Sequence, residues 1–90
     1  SRNNVRPVNV MAKVEITAEV TGNVWKIEAN VGDHLDSEDP IMILESMKME
    51  IPVESPCSGT LIKLLVKEED NVDEDQVIAV LETPRSANFP

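Results

Sequence analysis

The segments Gly22–Glu45, GNVWKIEANVGDHLDSEDPIMILE, and Gly59–Glu82, GTLIKLLVKEEDNVDEDQVIAVLE, lie 37 residues apart and align without a gap. Seven of the 24 aligned positions are identical, against roughly one or two from average residue usage. They are Gly22/Gly59, Lys26/Lys63, Asp33/Asp70, Asp36/Asp73, Ile41/Ile78, Leu44/Leu81 and Glu45/Glu82. Apolar positions keep the same register: Val24/Leu61, Ile27/Leu64, Leu35/Val72, Ile43/Val80 and, further back, Val14/Ile51 and Ile16/Val53. The chain therefore reads as two similar halves, each about one supersecondary unit.

Each half has the period of strands. Val14, Ile16, Ala18 and Val20 alternate with Lys13, Glu15, Thr17 and Glu19, and Met49, Ile51 and Val53 alternate with Glu50, Pro52 and Glu54. A period of two sends one set inward and the other outward. On the same reading Trp25, Ile27 and Ala29 point inward between Lys26 and Glu28, as do Ile62, Leu64 and Val66 between Lys63 and Leu65. Gly22, Gly32, Pro40, Pro56 and Gly59 punctuate the strands as turn residues do. Pro52 lacks an N–H, which restricts its strand to an edge or to a non-bonded position. The expected fold is all-β: a flattened barrel or sandwich, with half one packed on half two about a near-dyad.

Ninety residues allow one small domain. The first ten residues and residues 84–90 lack periodicity and read as tails, leaving a domain over residues 11–83. Arg2, Arg6 and Arg85 lie in the tails, so residues 11–83 hold five cations against all seventeen carboxylates, a net −12. Such a domain repels phosphate backbones, and with one Trp, one Phe and no Tyr it lacks stacking platforms for nucleic acid. No apolar run reaches the length of a membrane span, and no signal-peptide pattern is present. Cys57 is the single cysteine, so no internal disulfide can form. One His and one Cys do not make a zinc site of that ligand type. A carrier or binding module, monomeric when isolated, fits better than a self-contained enzyme.

Ten of the 17 carboxylates fall in two equivalent runs, Asp33, Asp36, Glu38 and Asp39, and Glu68, Glu69, Asp70, Asp73, Glu74 and Asp75. They read as a solvated surface, with steering of a basic partner as the functional alternative. Cys57 corresponds to Val20 and reads as a small buried hydrophobe; Trp25 corresponds to Ile62 and reads as packing; His34 reads as a loop residue.

The repeat makes Glu45-Ser46-Met47-Lys48-Met49-Glu50 informative. Past Glu82 the chain leaves the domain, whereas past Glu45 it must turn into the second half. Met47 and Lys48 therefore occupy the tip of a hairpin. Tight tips favour Asn-Gly or similar pairs because positive φ is required there. This tip has neither, and it places thioethers beside a lysine amine where water is expected. A broken local rule at an exposed turn marks function.

At these residues the chain resembles the biotinyl domain family, the biotin carboxyl carrier modules of biotin-dependent carboxylases. Met47-Lys48-Met49 matches the family's hallmark, with Ser46 in place of the usual alanine and little consequence expected. Val31-Gly32-Asp33 and Ser55-Pro56-Cys57-Ser58-Gly59 also match, and the likeness spans about residues 13–82. Glu68-Glu69-Asp70 departs from a Gly-Asp pair, so a turn of different shape is expected there. The gapless register leaves no room for the thumb insertion of some members.

The resemblance implies a fold of two four-stranded antiparallel sheets and a non-catalytic carrier. It implies biotin joined by an amide to Lys48 by a biotin protein ligase, with Met47 and Met49 read by that ligase and Ser46, Glu45 and Glu50 as hairpin context. It further implies carboxyl transfer between biotin carboxylase and carboxyltransferase sites, in the cytoplasm, a mitochondrial matrix or a plastid. A lipoyl carrier shares the fold but typically shows Asp-Lys-Ala at the tip. An unmodified hairpin that binds partners through its methionines is the reading from a different class.

Overall fold

The computed structural model describes residues 9–86. Eight strands follow in order: β1 (Asn9–Thr17), β2 (Gly22–Ile27), β3 (His34–Leu35), β4 (Pro40–Ser46), β5 (Met49–Glu54), β6 (Gly59–Leu64), β7 (Asn71–Val72) and β8 (Val77–Ser86). They form two four-stranded antiparallel sheets, ordered β1-β8-β6-β3 and β5-β4-β2-β7. A shift of 37 residues carries each strand of one order onto its counterpart in the other. The near-dyad relates the sheets, and each sheet mixes both halves. The expectation of one half packed on the other thus becomes an interleaving, in which neither half completes a sheet alone.

The inner faces meet in one core. Val24, Ile41, Leu44, Leu61, Ile78 and Leu81 are fully buried, each contributing about 1.5–3 kcal/mol relative to exposure. They are three repeat-related pairs, Val24/Leu61, Ile41/Ile78 and Leu44/Leu81. Pro52 lies on β5, an edge strand, where no partner needs its missing N–H. Cys57 is half-buried against the core rather than sealed within it.

Two expectations change at a bulge. In β2 the register slips between Val24 and Lys26, and in β6 it slips between Leu61 and Lys63. A bulge sets two residues against one and resets the in–out alternation. Val24 and Leu61 therefore enter the core, while Trp25, 48% exposed, turns outward and Ile62 is only partly buried. The regular alternation in the sequence conceals that extra residue. His34 pairs with Thr60 as part of β3 instead of lying in a loop.

The turns repeat as faithfully as the strands. Asp33, Asp39 and Asp70 each accept, through Oδ2, the backbone N–H three residues earlier, of Asn30, Asp36 and Lys67, at 2.9–3.0 Å. Gln76 Oε1 does the same for Asp73 at 2.9 Å. Part of each acidic run therefore builds its turn, beyond coating the surface. Glu38 N–H donates to Ser55 O and Asp75 N–H to Ala18 O, so each half's turn holds the connection of the other half. Glu69 has φ 78° where its counterpart Gly32 has 101°. The second turn thus keeps the first one's backbone sense, contrary to the different shape expected from its sequence.

Strand pairing also passes the expected domain limits. Asn9↔Ser86, Val10↔Arg85 and Met11↔Pro84 continue the β1–β8 ladder, because main-chain pairing does not require the apolar alternation that those ends lack. Residues 1–8 and 87–90, read from the sequence as tail, lie outside the described residues.

Candidate functional site

β4 and β5 form a hairpin closed by the pairs Glu45↔Glu50 and Ser46↔Met49, leaving Met47 and Lys48 as a two-residue loop. Their φ values are 52° and 64°. Positive φ at both positions is the type I′ pattern, whose twist matches that of the flanking strands. Side chains with a Cβ are disfavoured there by about 1–2 kcal/mol per residue relative to ordinary backbone. The rest of the hairpin supplies the constraint. Leu44 and Val53 root its two strands in the core, and Ser46 Oγ donates to the Thr21 carbonyl at 2.8 Å. Gly22 lies against the Glu45 carbonyl so closely that a Cβ there would collide with it.

The repeat supplies an internal comparison. Thr83 Oγ1 donates to Ser58 O at 2.7 Å, the counterpart of the Ser46–Thr21 bond. A Cβ on Gly59 would stand 2.7 Å from Glu82 O, the counterpart of the Gly22–Glu45 approach. Ala12↔Thr83 is the counterpart of Ser46↔Met49. Up to that rung the two ends of the molecule match. Beyond it one end closes through Met47 and Lys48, and the other continues as the open β1–β8 ribbon. The lysine-bearing turn is what the pseudosymmetry does not explain.

Met47 is 92% exposed and Met49 62% exposed, with Lys48 exposed between them. The ion pairs among the described residues, Lys26–Glu28 and Lys67–Asp70, do not involve Lys48. The hairpin thus presents an amine on a flexible stem, flanked by two soft apolar contacts. Glu45 is partly buried and Glu50 exposed, and as direct cross-strand partners they share one sheet face. All six residues singled out by the sequence, Glu45, Ser46, Met47, Lys48, Met49 and Glu50, come together at this end. Ser46 does more than fit an alanine space, because it ties the hairpin to the loop before β2. Its alignment with Thr83 was the signal for that role.

Elsewhere, a cleft of about 340 Å³ runs between the edge strands β1 and β5. Its lining residues fall into four repeat-related pairs, Glu15/Pro52, Ile16/Val53, Thr17/Glu54 and Glu19/Pro56, which places it on the near-dyad. Among the described residues no group of three or more His, Cys, Asp or Glu is placed to hold a metal ion. No helix there is long and apolar enough to cross a membrane. Asp70 has a pKa below the ordinary 3.8, because the Lys67 N–H and then the Lys67 ammonium donate to its carboxylate.

Comparison with known proteins gives concordant results. The profile of the biotin/lipoyl family, described as "Biotin-requiring enzyme", matches residues 9–81. A biotin/lipoyl attachment protein of Bacillus subtilis is 38% identical over 66 residues, covering 73% of this chain and 90% of that protein. The biotinylated protein TB7.3 homolog of Mycobacterium leprae is 34% identical over 67 residues, covering 74% of this chain and 94% of its own length. The crystal structure of Kluyveromyces lactis urea carboxylase superimposes with a TM-score of 0.75 and 33% identity, over 90% of this chain but 7% of that one. The chain thus spans nearly all of two small relatives and a few per cent of a large enzyme. Because profile, relatives and fold agree over most of its length, the chain belongs to the biotin/lipoyl attachment family.

Proposed function

We propose that this chain carries biotin on Lys48 Nζ and presents it to the active sites of a biotin-dependent carboxylase. The observation that carries the reading is the two-residue tip, with Lys48 exposed at φ 64° between Met47 and Met49. A single primary amine on a protruding turn fits covalent attachment of a carboxylic acid cofactor. The amine must lose a proton to act as nucleophile, and amide formation then removes the lysine's charge for good. Bound biotin supplies the ureido nitrogen that takes up and releases a carboxyl group.

The chain's own contribution is mechanical and electrostatic. Leu44, Val53, Ser46 and Gly22 hold the base of the hairpin rigid, so the freedom of the carried group begins at the Lys48 stem. Tethering replaces a diffusional encounter by a high effective concentration at each site within reach. Met47 and Met49 offer adaptable apolar surface to the enzymes that must accept the tip, first a biotin protein ligase and later biotin carboxylase and carboxyltransferase domains. The remaining exposed carboxylates steer the domain toward basic surfaces. The domain carries the group and leaves catalysis to those partners.

The test is a streptavidin gel shift after incubation with a biotin protein ligase, biotin and ATP. Wild-type protein is expected to shift and Lys48→Arg is not. Labelling by a lipoate ligase with lipoic acid, and none by the biotin ligase, would favour a lipoyl carrier instead.

A further inference from the structure

The outer face of the sheet that carries the hairpin bears an exposed tryptophan that the carrier role does not require. Trp25 is the extra residue of the β2 bulge, turned outward at 48% exposure. Lys26 pairs with Ile43, and Ile43 with Pro52; the bulge sets Trp25 beside Lys26 against Ile43, so Trp25, Ile43 and Pro52 are the apolar members of one row across the sheet. Between this row and the tip lie the cross-strand carboxylates Glu45 and Glu50. The one cation of the row, Lys26, is engaged by Glu28 at 3.6 Å.

The near-dyad again supplies the comparison. On the other sheet the counterparts of Trp25, Ile43 and Pro52 are Ile62, Val80 and Glu15. Ile62 is partly buried and Val80 is 8% exposed. The same scaffold position is therefore quiet on the face far from the lysine and carries a protruding indole on the face leading to it.

Resting on the assignment of Lys48 as the acylated residue, we propose that Trp25 and its row are a docking surface for the enzyme that acylates that lysine. The row lies roughly 12 Å down the hairpin from the turn, at about 3.3 Å per strand residue. A stable protein interface covers about 800 Å² of each partner, so one enclosing the tip extends to this row. The charge also fits. Joining a carboxylate to an amine at the expense of ATP brings phosphate groups to the acylating site, which needs cations around its mouth. Glu45 and Glu50 meet that mouth, and an indole at the rim of a cationic surface adds a large apolar contact and a cation–π partner.

Trp25 is the only tryptophan in the chain, so 5-fluorotryptophan labelling gives a single reporter. On titration with a purified biotin protein ligase in the absence of ATP, its fluorine resonance is expected to shift or broaden. In turnover assays Trp25→Ala is expected to raise KM by about tenfold with kcat unchanged. Ile62→Ala on the opposite face is expected to leave KM unchanged. An unmoved fluorine resonance, or a KM equally affected by both substitutions, overturns the docking surface. Either result can occur while Lys48 is still labelled, whereas absence of labelling on wild-type protein overturns the underlying assignment instead.

Discussion

Glu69 adopts φ 78° at the position that Gly32 occupies, with φ 101°, in the other half of the repeat. The two turns share their hydrogen bonds as well, Asp33 to Asn30 N–H and Asp70 to Lys67 N–H. A non-glycine residue in the left-handed region is disfavoured unless its surroundings impose it. Asn tolerates that region better than Glu. Glu69→Asn is therefore expected to stabilise the domain by about 0.5 kcal/mol, and Gly32→Ala to destabilise it by about 1 kcal/mol. Thermal unfolding of both variants checks the pair, and a destabilised Glu69→Asn would mean that the glutamate side chain makes a needed contact.

The two close glycine approaches make a sharper pair. Gly22→Ala and Gly59→Ala insert the same methyl against the carbonyls of Glu45 and Glu82. Both are expected to cost about 2 kcal/mol or more, as overpacking does. Only Gly22 lies at the base of the lysine hairpin. Under conditions where both variants remain folded, Gly22→Ala is expected to slow labelling by a biotin ligase and Gly59→Ala to leave its rate near wild type.

Ser46→Ala removes the bond to Thr21 O and is expected to cost about 1 kcal/mol. The hairpin keeps its core anchors, so labelling should persist. Urea unfolding together with a labelling rate separates the two effects. Loss of labelling without loss of stability would instead place Ser46 in direct contact with the ligase.

Acid sensitivity should concentrate partly at Asp70. Its folded-state pKa lies below the ordinary 3.8 because Lys67 donates to it through its backbone N–H and then its ammonium. A depressed carboxylate stabilises the fold at pH values above its unfolded pKa. That contribution disappears as pH falls through the folded value. Asp70→Asn should therefore flatten the decline in stability below about pH 4, relative to wild type. Urea midpoints measured from pH 7 to pH 2 test this, and parallel curves for the two proteins would contradict it.

Much of the architecture was legible from one periodicity. The alignment of Gly22–Glu45 with Gly59–Glu82 gave the repeat, the all-β character and the location of the tip, because a period of two and a gapless register leave few arrangements, whereas two sheets of four strands came only with the resemblance to the biotinyl family. Three features were not legible from alternation alone. The bulges at Trp25 and Ile62 keep the spacing of polar and apolar residues nearly regular while adding a residue to the strand. The interleaving of the halves depends on which edges pair, which no local pattern encodes. Pairing beyond Met11 and Pro84 uses main-chain groups that all residues but proline carry in full. At the site, Lys48 stood out because its neighbours broke a turn rule, whereas the bond from Ser46 to Thr21 O did not, because a serine replacing an alanine breaks none.

Carriage of biotin by this domain depends on one amine being the attachment point. The direct test is to label the intact 90-residue chain with a biotin protein ligase, digest it, and locate the modification by tandem mass spectrometry. A single biotinyl group on the peptide containing Met47-Lys48-Met49, with Lys13, Lys26, Lys63 and Lys67 unmodified, is the predicted result. Biotin on any of those four lysines, or enzymatic labelling that survives Lys48→Arg, would contradict it.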